Sequence, residues 1–277
     1  MQDLAGKIAV VTGGGSGIGR GIALAAAAEG MHVVLADIEQ GPAADVAREV
    51  SAAEVESLAV QANVADPDSV KALADQVFDR FGAVHLLCNN AGVFTLGDLA
   101  DASQDDWRWV MDVNVMGVVN GLQAFLPRMR AQDGESHIVN TGSLAGLMAP
   151  RGLPIGVYTA SKYAVVAISE TLRMELEADQ VGVSVLCPGG VQTRIWEAER
   201  NRPDSLGGPQ PIPEPVAAVA QEAARGGGGA AMDPEQVGRI VIAGVKADSP
   251  YIITHPETRG LVARRFEAIM AAFDQAG

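Results

Sequence analysis

"VVTGGGSGIGRGIA", residues 10–23, joins a short apolar run to an amphipathic one through a turn made almost wholly of glycine. Gly13, Gly17 and Gly19 are the spaced glycines of a Thr-Gly-x-x-x-Gly-x-Gly pattern, with Ser16 and Ile18 between them. A glycine-rich turn from strand to helix lets backbone amides approach a pyrophosphate, and the helix N-terminus adds positive potential. Alone, such a turn is weak evidence. Its place after an apolar strand and before a helix makes it a candidate dinucleotide site.

The alternation begun here continues along the chain. "KIAVVT", "HVVLAD", "ESLAVQ", "HLLCNN", "HIVNTG" and "VSVLCPG" each read as a buried strand, and helical stretches such as 18–29, 67–81 and 107–130 separate them. Continuously apolar strands alternating with helices predict an α/β fold with a parallel sheet covered on both faces. Right-handed crossovers make it a doubly wound, Rossmann-type sheet of about seven strands, with ligands at the strands' carboxyl ends. Residues 1–277 read as one such domain. The Pro- and Gly-rich stretch 194–232 reads as a mobile lid over the cleft. Residues 233–277 read as helix, strand and helix, with Asp233 as N-cap, Pro234 in the first turn and a last helix over about 256–273.

With 48% hydrophobic residues the chain can bury a substantial core, and its net charge of −14 disfavours nucleic acid and anionic membrane as partners. No secretory signal or membrane span is visible, which points to the cytoplasm. Cys88 and Cys187 fall on strands separated by a third, beyond disulfide reach. His32, His85 and His137 open strands and so lie away from the ligand end, whereas His255 closes a later run. Neither a histidine base nor a metal site is expected.

Asp37 ends the second strand, eighteen residues beyond Gly19, where a carboxylate accepts hydrogen bonds from an adenosine ribose and repels a 2′-phosphate. With Ile38 beside it bringing no positive charge, NAD is expected over NADP. Tyr158 and Lys162 stand four residues apart in "GVYTASKYAV". Three tyrosines and four lysines would give that spacing by chance about 0.04 times. On a helix they share a face. The lysine's charge would favour the phenolate, and bringing a phenol from about 10 to about 7 takes about 4 kcal/mol. The pair is therefore a candidate general acid/base, the plain alternative being a surface contact.

The glycine turn, "NNAG" at 89–92, "VNVMG" around Asn114, Ser143 in "NTGSLAG", the Tyr158–Lys162 pair and "PGGVQT" stand in that order. Over about residues 5–193 the chain resembles the short-chain dehydrogenase/reductase family. The resemblance implies hydride transfer between a nicotinamide and a carbonyl or alcohol carbon. It implies Tyr158 as acid/base, Lys162 lowering its pKa and holding the nicotinamide ribose, Ser143 holding the substrate oxygen, and Asn114 supporting a water route from Lys162. It also implies cofactor contacts from Asn63 and Val64, from Asn90, Ala91 and Gly92, and from Pro188, Gly189, Val191 and Thr193. Asn63 departs from the aspartate common there.

The tail after 193 resembles, more weakly, a subset that includes bacterial dehydrogenases of lignin-derived aryl alcohols. Phe94, Leu144, Met148, Leu153, Ile195 and Trp196 would suit an apolar or aromatic substrate. The expected reaction interconverts a secondary alcohol and its ketone. The alternatives are an NADPH-type ketoacyl reductase, against which Asp37 argues, and a non-catalytic nucleotide-binding relative, against which the intact catalytic set argues. Amphipathic helices around 107–130 and 153–178 suggest a homodimer or homotetramer.

Overall fold

The structure, a computed structural model, describes residues 1–211 and 231–276. Seven parallel strands are β1 (Ile8–Thr12), β2 (His32–Asp37), β3 (Ser57–Gln61), β4 (Leu86–Asn89), β5 (Ser136–Thr141), β6 (Val181–Cys187) and β7 (Tyr251–Ile253). They lie in the order β3-β2-β1-β4-β5-β6-β7. The order reverses direction between β1 and β4, which opens a crevice at their carboxyl ends.

Period-two alternation sends successive strand residues to opposite faces. Ala9, Val11, Val33 and Leu35 pack under α1 (Gly17–Ala28), α2 (Gln40–Ser51) and α7 (Pro234–Lys246). Ile8, Val10, Val34 and Ala36 pack under α3 (Pro67–Phe81), α5 (Gly117–Ala131) and α6 (Gly156–Glu175). Both faces of the sheet are thus covered, as the apolar strands predict. Helix α7 meets α1 backbone to backbone. A Cβ on Gly21 would lie 2.0 Å from the Pro234 carbonyl oxygen, and one on Gly238 would lie 2.0 Å from that of Gly21.

Two helix expectations need correction, and the stretch after β6 gains detail. The helix predicted over 107–130 is broken: α4 (Gln104–Met111) passes into a π-helical turn at Asp112–Met116 before α5 begins. The described part of 194–232, read as a lid, forms two 3₁₀ turns against the body, Ile195–Asn201 and Asp204–Leu206. Arg202 anchors it, 6% exposed, with its guanidinium 5.4 Å above the Trp109 ring and 2.6 Å from Asp106. Residues 212–230 lie outside the described residues. The closing helix-strand-helix is present, but α8 (Arg259–Ala276) starts after a 3₁₀ turn at Pro256–Thr258 and leaves Phe266, Met270 and Phe273 exposed.

The histidines sort as expected. Nδ1 of His85 accepts from Ile8 N–H at 3.1 Å, and Nδ1 of His32 from Glu56 N–H at 2.9 Å. His137 is buried against the Ser184 hydroxyl at 2.8 Å. Both cysteines are buried free thiols on strands that β5 separates. No helix among the described residues is long and apolar enough to cross a membrane.

Candidate active site

A groove runs along the carboxyl ends of the strands. Its floor begins at the glycine turn. Gly17 has φ +52, and a Cβ on Gly13 would come within 2.8 Å of Ala91 Cα. These glycines let the turn lie against the neighbouring loop. Side chains cap α3, α4 and α7, through Asp66, Ser103 and Asp233. The Ser16 side chain at the start of α1 makes no capping bond. The first amides of α1 are therefore left for a ligand, which fits a pyrophosphate.

Asp37 closes one end of the groove. Its carboxylate accepts from Gly15 N–H and Glu39 N–H, both at 2.9 Å. Ile38, Asn63, Val64, Asn90, Ala91, Gly92, Pro188 and Thr193 line the same groove, with Ser16 and Ile18. Thr12 sets the Asn90 loop, accepting from the Asn90 and Ala91 amides at 2.9 and 3.1 Å.

Three predicted cofactor residues do not line it. Gly19 is buried behind the turn, where a Cβ would sit 2.0 Å from the Gly13 carbonyl oxygen. Gly189 backs onto His255, whose Nδ1 accepts its N–H at 3.2 Å. Val191 packs into the core, and its bridge to Met232 uses the groups of Gly190 and Gln192. The N–H and C=O of Val191 itself stay outside that bridge.

At the other end α6 brings Tyr158 and Lys162 to one face, as their spacing predicts. Lys162 is buried; its Nζ donates to the Thr141 carbonyl at 2.8 Å and lies 5.5 Å from the Tyr158 ring centre. Burial holds the ammonium down to about 8. Burial likewise pushes the Tyr158 phenol up to about 12, against the pull of the nearby Ser143 hydroxyl. The Lys162 ammonium is turned toward Thr141.

Asn114 sits in the π-turn, and both ends of its amide are hydrogen-bonded. Oδ1 accepts from Val93 N–H at 2.8 Å; Nδ2 donates to the Val93 carbonyl and the Ser161 hydroxyl, each at 3.0 Å. The side chain therefore joins the loop after β4 to α6. A π-turn interrupts the helical ladder there.

Phe94, Leu153, Ile195 and Trp196 gather around Tyr158 in one apolar cluster with Ile155. Phe94 stands edge-on to Tyr158 at 5.2 Å and to Trp196 at 4.8 Å. Leu144 and Met148 fall outside this cluster. The backbone N–H of Leu144 is tied to the Pro188 carbonyl at 2.9 Å, and Met148 follows it in the same turn.

Sequence reasoning missed Val113, Trp109 and Ala198, which also line the groove, and an ionic wall of Glu39, Arg194, Arg200 and Asn201. Trp109 packs against Val93, Val110 and Val157, while one edge borders the groove. Nothing local signals the ionic wall, because Glu39 and Arg200 stand 161 residues apart.

The model of the family described as short chain dehydrogenase matches residues 7–204. The chain belongs to the short-chain dehydrogenase family. This short-chain dehydrogenase is 34% identical to a "C alpha-dehydrogenase" of Sphingobium sp., over 98% of this chain and 87% of that protein. Among solved structures, a short chain dehydrogenase/reductase from Burkholderia phymatum in complex with NAD is 41% identical, with a TM-score of 0.91 over 98% of this chain and 97% of that one. The apo form of LigO from Sphingobium sp. is 35% identical, with a TM-score of 0.81 over 99% and 91%. Membership makes the chain an oxidoreductase with a single-domain Rossmann-like fold.

Proposed function

We propose that this oxidoreductase uses NAD to interconvert a secondary alcohol, apolar or aromatic in character, with its ketone. The observation that carries the reading is the Tyr158 phenol, set beside Ser143 and walled by Phe94 and Trp196, at the end of a groove that begins at Asp37 and the uncapped start of α1. The NAD complex of the Burkholderia relative supports the cofactor, and the name of the Sphingobium relative supports an alcohol carbon as the reacting centre.

When bound, the nicotinamide accepts or returns the hydride. Tyr158 takes the hydroxyl proton as the alcohol is oxidised and gives it back to the oxygen in reduction. Ser143 holds that oxygen. Lys162 anchors the ribose and carries positive charge beside the phenol. Asn114 positions Lys162 and Tyr158 through Ser161, whose hydroxyl donates to the Tyr158 carbonyl at 2.7 Å. Gly13, Ser16, Gly17 and Ile18 receive the pyrophosphate, and Asp37 and Ile38 the adenosine ribose. Asn63, Val64, Asn90, Ala91 and Gly92 flank the adenosine half, and Pro188, Val191 and Thr193 the nicotinamide. The enzyme acts in the cytoplasm as a homodimer or homotetramer, consistent with the exposed apolar residues of α8.

The test is a panel of aryl and alkyl secondary alcohols assayed with NAD and with NADP. Turnover of an aryl secondary alcohol with NAD is expected. Tyr158→Phe should lower kcat by at least about a thousandfold while leaving NADH affinity within about threefold. Normal turnover in that variant sinks the mechanism, and a preference for NADP sinks the cofactor assignment.

A further inference from the structure

The sequence assigns cofactor choice to Asp37 alone, yet the groove that holds Asp37 also carries two arginines. Arg194 and Arg200 come from the segment after β6, far from the ribose loop in sequence, and line the same groove as Asp37, Ile38 and Glu39. A guanidinium at that position is the group best suited to a 2′-phosphate, because its fork matches phosphate oxygens. Left free, it would offset the repulsion from Asp37.

It is not free. Nε and Nη2 of Arg200 both donate to Glu39 Oε2, at 3.1 and 2.6 Å, and Nη1 donates to the Glu197 carbonyl at 2.9 Å. Asn201 Nδ2 reaches the same Glu39 oxygen at 3.3 Å. Arg194 is turned to Glu197, with Nε 2.9 Å from Oε2. Glu39 occupies the N-cap position of α2, yet its side chain does not cap the helix. It is held in place from behind, because its own N–H donates to Asp37. The Arg200 and Glu39 side chains are 27% and 29% exposed, so the pair borders the groove and is within reach of a ligand there.

We propose that Glu39 is a second determinant of NAD choice, acting through Arg200. By occupying the guanidinium it keeps a phosphate-binding group out of the ribose subsite. Asp37 repels the 2′-phosphate, and Glu39 withholds the cation that would welcome it. The inference rests on the NAD reading of the groove. It also assigns the Ile195–Asn201 turn a role at the adenosine end, in addition to the substrate wall formed by Ile195 and Trp196.

Binding of NADH and NADPH, followed by nucleotide fluorescence, tests this without a known substrate. The proteins are wild type, Glu39→Ala, Glu39→Gln, Arg200→Ala and the Glu39→Ala/Arg200→Ala double variant. Wild type should bind NADH more tightly. Both Glu39 variants should shift the NADPH-to-NADH affinity ratio toward NADPH by about tenfold, the scale of one charge-assisted hydrogen bond to phosphate. Arg200→Ala breaks the same clasp without freeing a cation, so its ratio should stay at the wild-type value or fall below it. The double variant should lose the gain. An unchanged ratio in both Glu39 variants, equal loss of both nucleotides, or a gain that survives in the double variant overturns the proposal. A wild type that binds neither nucleotide, or prefers NADPH, overturns the NAD reading and this proposal with it.

Discussion

Lys162 is an ammonium taken out of water and held by a carbonyl rather than a carboxylate. A base whose folded pKa falls from 10.5 to about 8 binds fewer protons in the folded state than in the unfolded one between those values. Stability from this group therefore rises as pH climbs from 8 to 10.5, and the full penalty, about 3 kcal/mol, applies below 8. Lys162→Met should raise unfolding stability at pH 7 by about 2–3 kcal/mol while abolishing turnover. Urea titrations at pH 7 and at pH 10 check this: the gain should shrink toward zero at the higher pH. At this scale the sequence displays the Tyr158–Lys162 pair by its spacing but hides its titration. Spacing shows which groups meet, whereas the sign of the shift depends on how deeply the fold buries them.

Elements differ in how openly they announce themselves. Helix α3 begins and ends where the sequence places it, at Pro67 and Phe81. Asp66 accepts from Asp68 N–H at 3.0 Å, and Gly82 takes φ +76 to end the helix. Asp233 caps α7 in the same legible way, accepting from Glu235 N–H at 2.8 Å. The π-turn at Asp112–Met116 is silent, because one extra residue in a ladder scarcely disturbs an apolar periodicity. Its marker is Asn114, which the sequence singles out by motif and the fold uses as a brace. Asn114→Ala would leave the buried amide and carbonyl of Val93 without partners. It should cost about 3 kcal/mol in urea unfolding, with a fall in kcat larger than any change in NADH affinity. The Glu39–Arg200 pair is equally silent, since charge composition carries no information about contacts between distant segments.

For the molecule as a whole, a buried histidine at the end of the sheet opposite the groove contributes to behaviour in acid. His137 is 1% exposed and burial holds its ring down to about 4, although Asp248 lies 3.8 Å away. Between pH 6.5 and 4 the unfolded chain takes up a proton that the folded one refuses. Stability should therefore fall by about 3 kcal/mol as pH drops through that window. His137→Gln, which can still reach the Ser184 hydroxyl, should flatten that part of the stability–pH curve in urea titrations. The doubly wound order was readable from apolar strands alone, because burial on both faces leaves a compositional trace. The exposure of α8 was not: its apolar residues repeat with helical period whether or not the chain covers them.

The contact between Gly21 and Gly238 sets a timetable for synthesis. The pyrophosphate turn and α1 leave the ribosome roughly two hundred residues before α7, the helix that lies directly against them. At translation speeds of about 5–20 residues per second, that gap is on the order of ten to forty seconds. Throughout it the apolar side of α1, with Ile22 and Ala26, waits without its closest neighbour. A nascent chain can pair β1 with β2 early, but it cannot bury that side of α1 until α7 has emerged. The waiting interval therefore leaves an apolar helix face open to other partners.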